Sequence, residues 1–108
     1  MLTTAAAGGA HSLPGDEAAY LAANDAAMSR MMSGMKVTPS GDVDRDFIAM
    51  MIPHHQGAID MARAVLEHGR DERLKRIAQE IVVTQQDEIV AMKRIAEAMG
   101  STTTARKK

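Results

Sequence analysis

The chain contains no cysteine, which excludes disulfides, thiolate zinc sites and cysteine-ligated iron–sulfur clusters. That absence is silent about compartment, since a cysteine-free protein suits either side of a membrane. Aromatic residues make up only 2% of the sequence, with one Tyr, one Phe and no Trp. The core must therefore take its bulk from aliphatic side chains and methionine. Neither sign of charge dominates, and a formal net charge of −1 gives no electrostatic case for nucleic acid. The basic end Arg106-Lys107-Lys108 is too short to reverse this. No apolar run approaches the roughly 18 residues that cross a bilayer, so membrane insertion is not expected. The opening MLTTAAAGGAHSLPGD also lacks the basic stretch and apolar run of a signal peptide.

What remains is a chain of 108 residues, enough for one domain with a modest core, which leaves a homodimer open. Its balance of 45% hydrophobic and 25% charged residues is that of a folded protein. The 10 methionines are the compositional anomaly, because cores usually use Met sparingly as a gap-filler.

Three helices are expected. Residues 1–13 are small and polar and read as a flexible N-terminus. The first helix runs from Pro14–Asp16 to Ser33 or Met35, with Pro14 and the acids Asp16 and Glu17 suited to its start. Gly34 reads as its stop. Residues 37–42 form a loop. The second helix opens at Asp42 or Asp44 and closes at Glu67-His68, before Gly69. Asp71 caps a third helix that ends near Met99, at Gly100. Residues 101–108 read as a polar basic tail. No segment alternates like a strand, so the fold class is all-α, an antiparallel bundle of three main helices over residues 14–100.

Three constellations carry chemistry. Met28, Met31, Met32 and Met35 recur at i, i+3, i+4 and i+7, on one helical face. Packing explains this spacing as well as coordination does, but leucine would specify a core more sharply and resist oxidation. As donors, thioethers are soft and favour Cu(I) over zinc, magnesium or calcium.

The second constellation is DFIAMMIPHHQGAIDMA, residues 46–62. Asp46, Met50 and His54 lie one turn apart, and Met61 returns to their side two turns later. Met51 and His55 form a parallel pair one position around. Adjacent histidines on a helix point about 100° apart, so one can face the bundle and the other a neighbouring helix or the rim. Pro53 lacks an N–H and clashes with the carbonyl of Ala49, so a kink or break is expected there. Gly57 permits close approach of a neighbour.

The third comprises Gln85, Glu88 and Met92, which interrupt or extend the apolar stripe of the third helix. Gln85 and Glu88 are either its solvated edge or acceptors for the far N–H of a metal-bound imidazole. Asp46 has the same candidate supporting role. His68 suits a helix C-terminus, and His11 lies in the N-terminal segment.

The run DFIAMMIPHHQGAIDMA, with Ala78, Gln85-x-x-Glu88-Ile89-x-x-Met92 downstream and Met28-x-x-Met31-Met32-x-x-Met35 upstream, resembles the domain-of-unknown-function family 305. Its members include a periplasmic copper-resistance protein. The resemblance covers about residues 17–99, and HHQGAI is its most specific part. It implies a ferritin-like bundle, location in the periplasm or outside the cell, and copper bound through Met and His. Carried over by position, Met50, Met51, His54, His55 and Met61 are its ligands, with further sites on the first-helix methionines.

A copper-binding protein for sequestration, resistance or homeostasis is therefore the leading expectation, with Cu(I) ahead of Cu(II). A structural or interaction bundle with a Met-rich core is the alternative. No nucleophile–base–orienter set is visible, so no enzyme is expected. A ferritin-like oxidase requires Glu-x-x-His motifs. Met51, Ile52 and Val65 instead stand three residues before His54, His55 and His68.

Overall fold

The computed structural model describes residues 14–107, with side chains over residues 15–100. The expected flexible N-terminus and the side chains of the tail lie outside the described residues. Helices α1 (Pro14–Gly34), α2 (Val43–His68) and α3 (Glu72–Lys107) follow one another, and no strand occurs among the described residues. The chain is all-helical.

Each helix start has a local cause. Asp42, in an extended conformation, caps α2 by accepting from the N–H groups of Asp44 at 3.0 Å and Arg45 at 3.3 Å. Asp71 caps α3 in the same way, accepting from Arg73 N at 2.8 Å and Leu74 N at 3.2 Å. Asp46, expected beside the metal, instead turns its carboxylate to the N–H of Ser40 at 3.1 and 3.2 Å and anchors the preceding loop.

Two glycines end helices for a reason that the sequence did not suggest. Neither Gly34 nor Gly69 has the positive φ of a left-handed cap. A Cβ on Gly69 would lie 2.6 Å from the Val65 carbonyl oxygen, and one on Gly34 would lie 2.7 Å from Cβ of Pro53. Both positions need glycine for close approach. Gly100 does not end α3, which continues to Lys107. No proline follows it to force a stop, and one glycine costs a helix only about 1 kcal/mol.

Helix α2 lies at the centre, and α1 and α3 both pack on it without their backbones approaching each other. Helix α1 runs antiparallel to α2: Gly34 meets Pro53, Met31 meets Gly57, and Arg30 reaches Asp60 at 3.2 Å. Asp16 at its start then stands 3.8 Å from Arg70 beyond the end of α2. Helix α3 is antiparallel to α2 on another side, joined by a core of Ile59, Ala62, Ala78, Val82 and Ile89. At the far end, the Arg45 guanidinium donates to the Met99 carbonyl at 3.1 Å. Pro53 does not break α2, which is continuous from Val43 to His68. Its ring packs against Gly34, so tertiary contact offsets the local cost of a mid-helix proline.

Candidate metal centre

Met51 and His55, one turn apart on α2, look across at Glu88 and Met92, one turn apart on α3. The antiparallel pairing sets these two i, i+4 pairs face to face. Together with Phe47 and Ala91 they line a cavity of about 220 Å³. The His55 ring is sequestered, its side chain only 13% exposed, whereas Glu88 is 55% exposed at the mouth. His55 Nε2 lies 2.5 Å from Glu88 Oε1.

That contact determines what the ring can offer. With Nε2–H donating to the carboxylate, Nδ1 carries the lone pair. Nδ1 is buried and has no hydrogen-bond partner. An unpartnered buried nitrogen costs free energy unless something binds it. The donor set fits a soft metal: one imidazole nitrogen oriented by a carboxylate, and two thioethers at the same cavity. Among the described residues, no three His, Asp or Glu side chains are grouped to hold an ion. A site here must therefore draw on methionine.

The other expected ligands are placed elsewhere. His54 and Met50 are exposed on α2, with the His54 ring 6.2 Å from that of His55 and tilted by 57°. Met61 lines a second, largely apolar groove of about 340 Å³ with Tyr20, Asn24, Val65 and Ile77, between α1 and α3. None of the α1 methionines lines the His55 cavity. Met28 and Met32 are 43% and 58% exposed, and the Asn24 amide lies 3.9 Å from the Met28 sulfur. Met31 packs on Gly57, where an added Cβ would sit 2.7 Å from its sulfur. Met35 is half-buried, as is Gln85.

Phe47 and Ala91 were not singled out from the sequence. The register could have found Phe47, which stands one turn before Met51 and two before His55.

The fold and this cavity define a small all-helical protein with a histidine–methionine pocket between two helices. The chain belongs to a family described as domain of unknown function (DUF305), whose model matches residues 3–96. It is also similar to an uncharacterised protein of Acanthamoeba polyphaga mimivirus, 37% identical over 54 residues. That match covers 50% of this chain and 36% of the viral protein, so this chain matches about a third of its relative's length.

Proposed function

We propose that this protein binds copper, as Cu(I) in preference to Cu(II), and serves in copper sequestration, resistance or homeostasis. The observation that carries the reading is the convergence of Met51, His55 and Met92 on one cavity, with Glu88 on the imidazole. His55 and the two thioethers would hold the ion. Glu88 would fix the tautomer and orientation of the ring. His54, Met50, Met28 and Met32 are exposed donors that would take further ions more weakly.

The same reading treats the three helices as three corners of a ferritin-like bundle. It is supported by α1 and α3 each packing on α2 without backbone contact between them. Action in the periplasm or outside the cell belongs to the proposal through the family resemblance alone. Among the described residues no helix is long and apolar enough to cross a membrane.

Anaerobic competition titration with Cu(I), with zinc as control, tests the function. Stoichiometric Cu(I) binding that is lost in His55→Ala combined with Met51→Ala supports it. A protein that takes up no copper, and whose melting temperature ignores excess Cu(I), refutes it, because a native-state ligand must stabilise by mass action. That second result is what a purely structural bundle predicts, and Met31, seated on Gly57, already has a packing role.

A further inference from the structure

Along α3 the apolar positions fall on two seams rather than one. Ala78, Val82, Gln85, Ile89, Met92 and Ala96 recur at alternating steps of four and three residues. Their side faces α2, with Ala78, Val82 and Ile89 buried. A second series, Ile77, Ile81, Thr84, Glu88, Ala91 and Ile95, runs beside it at the same alternating steps. Leu74 and Ala98 extend it by three residues at either end. Such a repeat is the mark of a helix that packs lengthwise against another helix.

Among the described residues Ile81 alone of this seam is half-buried, packed beside the core, and the other positions are exposed. Leu74, Ile77 and Ile95 are 58%, 53% and 51% exposed, and the α1 backbone does not approach α3, although Tyr20 and Asn24 line the same groove as Leu74 and Ile77. The chain also buries little. Among the described residues, four of the eight buried hydrophobic residues are alanine, whereas eleven large hydrophobics are exposed.

We propose that this seam is a homodimer interface in which two copies of α3 pair antiparallel about a two-fold axis. In such a contact, if residue i touches j of the partner, j touches i as well. With the axis beside residue 86, midway along the seam, Ile77 meets Ile95 of the partner subunit. Leu74 and Ile81 then each face an alanine, Ala98 of the partner subunit and Ala91 of the partner subunit. Thr84 donates its hydroxyl to Glu88 of the partner subunit, so the one carboxylate of the seam is matched.

Charges beside the seam agree with this register. Exposed Glu80 comes level with exposed Arg94 of the partner subunit on the flank of the seam, once on either side of the axis. A parallel pairing would instead set each Glu88 against its own copy in an apolar seam, where like charges repel. At the two-fold axis each exposed Asp87 comes level with its own copy, a solvated like-charge contact that the two Glu80–Arg94 pairs outnumber. A partner so placed would cover the open side of the groove that Leu74, Ile77 and Ile81 help to line. It would also wall the His55 cavity over Glu88 and Ala91, though the pairing does not depend on copper.

Since the chain has no cysteine, introduced thiols read the register directly. Full-length protein should sediment as a dimer. Ile77→Cys co-refolded with Ile95→Cys should form a disulfide-linked dimer with diamide, and neither variant should link to itself. Antiparallel pairing holds two copies of either position about 27 Å apart along the helices. Ile77→Asp, at a position exposed in the monomer, should keep its helical circular dichroism and weaken dimerisation by about tenfold or more. A monomer at the highest soluble concentration overturns the proposal. So do self-linking of either cysteine variant, failure of the mixed pair to link, and a dimer indifferent to Ile77→Asp.

Discussion

His55 on α2 and Glu88 on α3, 33 positions apart in sequence, meet at 2.5 Å between Nε2 and Oε1. The contact sits at the mouth of a cavity that also brings two methionine side chains to a histidine. Each helix contributes its pair by simple i, i+4 spacing, and the antiparallel packing brings the pairs together.

Glu88→Gln keeps the size of the side chain and removes the charge that holds the imidazole N–H. Loss of such a supporting carboxylate typically costs about 10–100-fold in metal affinity. Cu(I) competition titration of Glu88→Gln should show a drop within that range, with His55→Ala losing more. Equal affinity in Glu88→Gln and the unmodified chain would remove Glu88 from the site.

Gly57→Ala should destabilise the fold despite the better helix propensity of alanine. The propensity gain is about 1 kcal/mol. The new Cβ would stand 2.7 Å from the Met31 sulfur and 3.0 Å from its Cβ and Cγ, and overpacking of this kind costs about 1–3 kcal/mol. Urea unfolding should show a lower midpoint, and Met31→Ala in the same chain should recover most of the loss. A Gly57→Ala protein as stable as the original would mean that α1 can slide on α2.

Among the described residues, Ile59 is the one large side chain that is fully buried, at 1% exposed. Ile59→Ala should cost about 2–5 kcal/mol, a large part of what a domain this small can possess. Thermal unfolding followed by circular dichroism should show a melting temperature many degrees lower, or no cooperative transition. Val83→Ala, at a position 52% exposed, is the control and should change little.

The cap of α3 supplies a pH dependence. The Arg73 guanidinium and then the Leu74 N–H hold the Asp71 carboxyl well below the usual carboxylate range. A carboxyl lowered on folding stabilises the fold above its unfolded value, near pH 4, and loses that contribution as pH falls toward the folded value. Asp71→Asn keeps a capping oxygen but removes the charge. The stability gap between it and the unmodified protein should be constant near neutrality and shrink below about pH 4. A gap that widens with acid would contradict the cap.

Much of the fold was legible because its signals are local. Asp42 and Asp71 offer side-chain oxygens to the first free N–H groups of a helix, and the caps fall where the residues allow. The three-helix order and the start of α1 followed from the same reasoning. Gly100 misled because a glycine near a helix end resembles a stop, and nothing after it enforces one.

Helical spacing placed Met51 with His55, and Glu88 with Met92, before any packing was known. It equally placed Asp46, Met50, His54 and Met61 together, and that grouping has a different fate in the folded chain. Asp46 turns to Ser40, Met50 and His54 stay exposed, and Met61 enters another groove. The four first-helix methionines share a face, yet Met31 is taken up by Gly57 while Met28 and Met32 remain exposed.

The sequence by itself determined the helices, their caps and the i, i+4 donor pairs, since backbone hydrogen bonding and helical period act within a few residues. Tertiary structure alone decided which histidine is sequestered and which carboxylate it meets, because that depends on the face α2 turns to α3. It also decided that Gly34, Pro53 and Gly57 form the bed on which α1 lies. Close approach of two backbones is a property of the pair of helices, and neither strand of sequence contains it alone.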